Sequence, residues 1–558
     1  MSDNTEFGKW RARLWPVHSH ELKKLIPMIL MFYLILFNYT ILRDTKDTLV
    51  VTGAGSGAEI IPFLKLWVNV PFAIIFTITY AKMSNVFKRD ALFYLVISSF
   101  ILFFGLFALV LYPAREMLHP TEFADYLQSI LPPGFMGFIA VLRNWTFSLF
   151  YVMSELWGSV CLSLLFWGFA NHITRISESK RFYALFGMMG NLALPTAGLF
   201  VYYASHSRED LPAGADPWSY SMNLLTAVFT AGAILIMVTY WWINRNVLTD
   251  PTLYKPNDIV ADKKEKLSLS LKESFLHIIN SKYLLCIALL VISYGVCINM
   301  VEVTWKNQLR MQYPNPNDYN QFMGLFSTCT GVVTISMMLF VSNNVIRGFG
   351  WTVAALCTPV VLLITGSLFF CFALFRDFIP ETVFLALGIT PLMLTVVLGA
   401  IQNIMSKSTK YSLFDPTKEM SYIPLDPEEK VKGKAAVDVI GNPVGKSTGS
   451  VIQQVLMISL GSLAAIAPYV AIIVLAFFAI WIGAVRSLGR QFNEKVHKRQ
   501  EASDEQELPD KQELPDKPAP SADNSVIIGS PVLQAKSELL QFNAHPAANQ
   551  KPSKEKNS

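Results

Sequence analysis

The sequence predicts an all-α membrane protein of twelve transmembrane helices in two six-helix bundles. Apolar runs of roughly 20 residues, the length of a helix that crosses a bilayer, recur almost to residue 485. Of the 558 residues, 52% are hydrophobic and the mean hydropathy is +0.38, more apolar than a soluble core requires. A polar stretch near the middle divides the runs into two sets of six.

In chain order, a cytoplasmic N-terminus over 1–24 leads into an N-terminal bundle over 25–243, with spans near 25–45, 60–81, 91–112, 138–170, 182–204 and 218–243. The connector "NRNVLTDPTLYKPNDIVADKKEKLSLSLKESFLH" follows, a polar cytoplasmic linker over 244–282 with a short amphipathic helix expected at its end. The C-terminal bundle over 283–485 has spans near 283–305, 321–342, 350–375, 382–405, 436–458 and 465–485. Residues 486–558 form a cytoplasmic tail. Its repeated "ELPDKQELPDKPAP" is too charged and proline-rich to bury a core, so it is expected to be mostly disordered and is assigned no role in transport.

Basic residues flanking membrane spans are retained on the cytoplasmic side. Here they collect on one side, at Lys9, Arg11, Arg13, Lys23 and Lys24, at Lys82, Lys88 and Arg89, at Arg175, Lys180 and Arg181, and at Arg486, Arg490 and Lys495. Both termini are therefore expected in the cytoplasm. The first span is too long for a cleavable signal and leads into Arg43 and Asp44 rather than a small-residue cleavage site. The six cysteines lie in apolar segments without CxxC spacing, so neither a zinc site nor a disulfide framework is indicated. No metal or cofactor is expected, nor a nucleic-acid or protein partner; the lipid bilayer is the surrounding medium.

Weak echoes relate the two halves. "GNLALPTAG" in span 5 and "GNPVGKSTG" in span 11 share a GN-x6-G pattern, and "TKDTL" after span 1 resembles "WKNQL" after span 7, aligning Lys46 with Lys306. This fits a parallel repeat of six-helix bundles, a major-facilitator-like arrangement with substrate held between the halves at mid-membrane. "VIGNPVGKST" looks at first like a phosphate-binding P-loop. Only three residues separate Gly441 from Gly445, however, and Lys446 falls on an expected membrane helix rather than a strand-helix loop.

Ionisable residues within spans cost about 2.5–3.5 kcal/mol on insertion scales, so they tend to face water or a partner. Their helical spacing forms stripes: Tyr39, Arg43 and Lys46 on span 1; Asn144, Ser148, Tyr151, Glu155 and Ser159 on span 4; Asn299, Glu302 and Lys306 on span 7; Asp438, Asn442, Lys446, Gly449 and Gln453 on span 11. A hydrophilic cavity between the halves follows. Lys46, Arg43, Lys306 and Lys446 suit a polyanion, because ammonium and guanidinium groups make charge-assisted hydrogen bonds to phosphate oxygens. Glu155 and Glu302 would pair with the lysines or accept from the ligand, and Asp44 and Asp47 are expected as local partners of Arg43 and Lys46. Asn299 could offer its donor and acceptor to a ligand or simply bond a neighbouring helix; Asn38 is the weaker candidate of the same kind. Snorkelling is the bland alternative for Arg43 and Lys306, which the apolar pattern puts near span ends.

Longer stretches carry a resemblance. "NYTILRDTKDTLVVTGAGSGAEIIPFLKLW", "FMGFIAVLRNWTFSLFYVMSELWGSV", "GVCINMVEVTWKNQL" and "SKSTKYSLFDPTKEMSYIPLD" followed by "KVKGKAAVDVI" resemble the nucleotide transporter family, the ATP:ADP antiporters of chlamydiae, rickettsiae and plastids. The likeness runs from about residue 7 to 490 and is strongest to the chlamydial members, through "LWPVHSHELKKLIPM" and "PNPNDY". It implies import of host ATP in exchange for ADP across a bacterial inner membrane, a form of energy parasitism. The family's transport-critical lysines and glutamates carry onto Lys46, Glu155, Glu302 and Lys446. The resemblance leaves open a broader ribonucleotide or NAD transporter, coupling to protons, and phosphate as a co-substrate. A membrane ATPase is disfavoured: no Walker A loop is present, "LFDPTKEM" lacks the DKTG order of a phosphorylated pump, and no soluble segment is large enough for a nucleotide-binding domain.

Overall fold

The computed structural model describes residues 17–206, 216–254 except 252, and 280–506 except 381, 383, 385–387, 427–428, 431–432, 435–436 and 438–440. Residues 17–497 form one compact unit; of the second, 1–16 and 498–558, only a helical stretch ending at Gln506 is described. The expected amphipathic helix of the linker and the proline-rich tail lie outside the described residues, as do Asp438 and the side chain of Asn442.

Twelve helical rods follow one another among the described residues: α1 Leu22–Thr52, α2 Ile60–Val86, α3 Arg89–Leu111, α4 from Met136 to Ile173, α5 from Ile176 to His206 and α6 Pro217–Asn246 in the first half. The second half holds α7 Lys282–Gln312, α8 Pro316–Ser342, α9 Asn343–Phe375, α10 from Pro391 to Ser421, α11 Asn442–Leu460 and α12 Leu463–Gln506. Ten of these are long and apolar enough to cross a membrane. The remaining two, α10 and α11, carry more polar side chains. A multi-pass membrane protein of two six-helix halves results.

Local chemistry sets where the rods begin. Asp216, Ser281, Asn315 and Thr390 each accept a hydrogen bond from a backbone N–H of the following first turn, and Pro217, Pro316 and Pro391 occupy the first helical position. The Thr390–Pro391 start places the tenth span well after its expected start near 382, because a cap and a proline define a helix end more sharply than hydropathy does. Gly461, at φ +93°, makes the left-handed turn between α11 and α12. Five rods contain π-helical turns, among them Leu64–Val68 in α2 and Lys410–Phe414 in α10, and such bulges often re-aim side chains at functional sites.

The first and seventh spans overrun their expected ends. Hydropathy falls at Arg43 and at Glu302, yet α1 continues to Thr52 and α7 to Gln312. Arg43, Lys46 and Lys306 therefore sit inside long helices rather than at their ends; Lys306 is buried and Arg43 bonds Asp44 and Ser327 within the bundle, so neither snorkels.

The halves meet along two seams. In one, α5 crosses α8 so closely that a Cβ on Gly198 would fall 2.6 Å from the Gly324 carbonyl oxygen and 2.5 Å from Thr328 Oγ1. Small residues allow such approach where there is no hydrophobic drive between helices. Polar pairs extend this contact toward the side remote from the termini: Asn320 donates to Ser205 Oγ (2.8 Å) and accepts from Thr48 Oγ1 (2.9 Å), and Ser221 donates to Asn317 Oδ1 (2.7 Å). In the other seam, Gln454 of α11 accepts from Trp67 Nε1 and donates to the Pro62 carbonyl of α2, both at 2.9 Å. Closer to the termini, Asn69–Val86 of α2 contains no buried residue and Lys446 of α11 is exposed. The halves are thus closed on the remote side and parted on the terminal side. On that terminal side, Lys24 donates to Glu178 Oε2 (2.6 Å) and Arg181 grips Glu21 with both terminal nitrogens (2.9 and 2.6 Å), tying the start of α1 to α5.

Replacing Gly198 by Val should force α5 from α8, because two of the three nearest obstructing atoms, the Gly324 carbonyl oxygen and the Thr328 nitrogen, are backbone. Spin labels at Tyr203 and Pro314 are expected to lie farther apart in Gly198→Val than in the wild type, whereas Gly168→Val, which meets open space, should leave that distance unchanged.

Candidate functional site

The run Arg43-Asp44-Thr45-Lys46-Asp47 places four charges within α1 at the meeting of the two halves. Isolated ions there would lose several kcal/mol of hydration each even after relaxation, so each must find a partner, and each does. Buried Asp47 is the hub. Its Oδ1 accepts from Lys46 Nζ at 2.9 Å and its Oδ2 from Lys306 Nζ at 2.8 Å, so one carboxylate joins a lysine of each half. Asp47 is thus a local partner of Lys46, as expected, and also a bridge to α7, which sequence spacing does not show.

Around this hub the remaining charges form a continuous network. Lys46 contacts Glu155 Oε1 of α4 at 3.0 Å and lies over the Tyr151 ring, 3.7 Å from its centre. Lys306 reaches back one turn to Glu302 Oε1 at 3.2 Å. Arg43 pairs with Asp44 at 3.3 Å and donates to Ser327 Oγ of α8 at 2.9 Å, while Ser327 donates to Asp44 Oδ2 at 2.6 Å. Lys446 of α11 is exposed, has no ion-pair partner among the described residues, and stands close enough to Glu155 for their charges to interact. The structure therefore brings Arg43, Lys46, Tyr151, Glu155, Glu302, Lys306 and Lys446 to one place.

Two further lysines belong to the cluster. Lys65, on the π-helical turn of α2, lies 3.9 Å from Glu302 Oε2, and Lys407 of α10 lies 3.8 Å from Glu302 Oε1. The stripes followed spans 1, 4, 7 and 11 and passed over these two, although "PFLKLW" puts a charge inside the expected second span; Lys407, in "MSKSTK", falls just beyond the expected end of the tenth span at 405. Six cations thus face the four carboxylates Asp44, Asp47, Glu155 and Glu302, leaving two positive charges in excess. The side chain of Glu155 is 37% exposed, so water reaches the network from the parted side.

The asparagines are structural in this arrangement. Asn299, buried, donates to the Lys446 carbonyl oxygen (3.1 Å) and to Ser450 Oγ (2.8 Å) and accepts from Lys65 Nζ, which spends its amide on joining α7, α11 and α2. Asn38 donates to the Phe229 carbonyl oxygen of α6 at 3.0 Å. Asn144 sits at a break in α4, with φ −106° and ψ 47°, and donates to the Ala54 carbonyl oxygen, so it belongs to the α1–α2 turn rather than to the cavity. A wet, cation-rich pocket shared by two halves is suited to hold a multiply charged anion, and its carboxylates occupy the cations in the anion's place.

Residues 1–492 match the profile of the family described as TLC ATP/ADP transporter. The chain is 59% identical over 486 residues to ADP,ATP carrier protein 1 of Chlamydia trachomatis, covering 87% of this chain and 92% of that protein. It is 52% identical over 495 residues to the chloroplastic ADP,ATP carrier protein 1 of Arabidopsis thaliana, covering 88% and 78%, and 42% identical over 502 residues to ADP,ATP carrier protein 1 of Rickettsia bellii, covering 90% and 99%. Among solved structures, a bacterial homologue of the iron transporter ferroportin in an inward-facing state superposes with a TM-score of 0.53 at 12% identity, over 85% of this chain and 99% of that one. That is a likeness of fold alone, a major-facilitator-like arrangement of two six-helix halves. The sequence likeness extends over nearly the whole chain, charged helices included, and the chain therefore belongs to the TLC ATP/ADP transporter family.

Proposed function

We propose that this protein exchanges external ATP for internal ADP by alternating access across a bacterial inner membrane, with both termini in the cytoplasm. The observation that carries the reading is the cation excess in the wet pocket between the halves, six cations against four carboxylates. A polyphosphate of three or four charges matches such a pocket. An amine, a sugar or a nucleoside would leave the excess uncompensated. The names of the relatives, ADP,ATP carriers, point to the same ligand.

With the termini in the cytoplasm, the parted side faces inward and the seams of α5 with α8 and α2 with α11 form the external closure. An entering nucleotide meets exposed Lys446 first and then competes with Glu155 for Lys46, Tyr151 supporting the same ammonium from below. The phosphates thereby gain partners from both halves: Arg43 and Lys46 from the first, Lys306 and Lys446 from the second. Glu155 and Glu302 take the lysines back as the nucleotide leaves, which holds the empty site to an excess of two positive charges and makes release feasible. Asn442 lies one helical turn before Lys446 on α11, in position to serve the same wall.

Lys46→Ala and Lys446→Ala are each expected to reduce exchange of labelled ATP against internal ADP by at least tenfold in proteoliposomes, with normal insertion. Lys446→Ala should keep its thermal stability, since that lysine supports no ion pair among the described residues; wild-type exchange by this variant would refute its role.

Exchange should also be electrogenic. Metal-free, fully ionised ATP carries about four negative charges and ADP about three, so each inward exchange moves one negative charge against an inside-negative potential, at a cost of about 2.3 kcal/mol per 100 mV. In ADP-loaded proteoliposomes without phosphate, an inside-positive potassium diffusion potential should accelerate ATP uptake and an inside-negative one slow it. Uptake indifferent to the sign would mean that a co-transported ion cancels the charge.

A further inference from the structure

Glu302 is surrounded by three ammonium groups, and only one of them is held elsewhere by a second carboxylate. Lys306, at 3.2 Å, is shared with Asp47. Lys407 and Lys65 stand at 3.8 and 3.9 Å, beyond hydrogen-bond distance. Lys407 makes no hydrogen bond among the described residues and rests 4.8 Å from the centre of the Phe326 ring; Lys65 makes one, to Asn299 Oδ1. An ammonium has three donors. Two lysines thus converge on one carboxylate with most of their donors unspent, and with side chains 18% and 26% exposed they are open to the cavity water.

Their positions give the arrangement a direction. Lys46 and Lys306 are buried and bound to Asp47, whereas Lys446 is exposed at the wall of the parted side. Of the two excess positive charges, one lies at Lys446 and the other is divided between Lys65 and Lys407, which among the described residues make ion pairs with Glu302 alone. Lys65 comes from α2 of the first half and Lys407 from α10 of the second, so a small dianionic group with three free oxygens seated between them would engage both halves at once.

We infer that Lys65 and Lys407 form the subsite for the third phosphate of ATP, and that Glu302 is its tethered place-holder in the empty protein. The inference rests on the exchange reading above and deepens it. The π-helical turn in α2 aims Lys65 across the halves, and the phosphate oxygens offer charge-assisted hydrogen bonds that Glu302 is too far away to accept. ADP, one phosphate shorter, is held by the lysines nearer the opening and leaves Glu302 in place. The subsite therefore distinguishes the two substrates by charge and reach.

Equilibrium binding of ATP, ADP and AMP to the purified full-length protein tests this. Lys65→Gln and Lys407→Gln should each weaken ATP binding about tenfold while leaving ADP within about twofold of wild type, and Lys407→Arg should recover most of the loss. Glu302→Gln, which removes the competing charge, should bind ATP more tightly than wild type even if exchange is lost. Equal losses for ATP and ADP, unchanged ATP binding in both lysine variants, or weaker ATP binding by Glu302→Gln would each overturn the assignment while leaving the exchange reading intact. A wild-type protein that binds neither ATP nor ADP would overturn both. Thermal unfolding of each variant identifies one that has lost its fold, in which case the arginine variant and Glu302→Gln decide.

Discussion

One buried carboxylate shared by two lysines organises the centre of this protein. Asp47 cannot be ionised inside the bundle without cations, and Lys46 and Lys306 cannot be ionised there without an anion; together they form a chain across the boundary between the halves. Removing one member of such a buried set is typically strongly destabilising, by about 3–5 kcal/mol, because it strands the others. The long reach of α1 and α7 follows. Both helices continue through their charged turns because the charges are matched in place, and both thereby carry the site to the boundary between the halves.

The same bridge bears on why the proposed activity is exchange rather than leakage. For the empty protein to part its closed seams, the link between Asp47 and Lys306 must break, leaving Asp47 with Lys46 and Lys306 with Glu302 and no new partner for either. A bound polyphosphate supplies alternative partners to lysines of both halves, so the rearrangement becomes accessible when a nucleotide is present. The seams themselves suit such movement. The α5–α8 contact is glycine against backbone, and the neighbouring polar pairs are single hydrogen bonds that water can take over as the halves part. Rigid halves with a wettable seam fit alternating access better than a continuous apolar core would.

Much of this was legible in the sequence because the bilayer imposes strong rules. Apolar runs gave the number of rods, and helical spacing brought Arg43, Lys46, Tyr151, Glu155, Glu302, Lys306 and Lys446 into one cavity. Three things were not legible. Helix ends at charges were misplaced, since hydropathy cannot register that Lys46 and Asp47 neutralise each other. Lys65 was missed because it stands alone in its span, without a stripe, and Lys407 because the tenth span was expected to end near 405; only the packing of α2 and α10 against α7 directs them to Glu302. Asn299 has a side chain equally able to meet a base or a helix, and only coordinates reveal its bonds to Lys446 and Ser450.

The most direct test of the shared carboxylate is a double-mutant cycle between Asp47→Asn and Lys306→Gln, read as the stability of the purified protein to thermal unfolding. Each single change should destabilise by leaving a buried charge short of its partner. The double variant should be more stable than the sum of the two losses implies, by on the order of 1–3 kcal/mol, the range for residues coupled in one network. Strictly additive losses would contradict the account, since the two halves would then not be joined through Asp47 and Lys306.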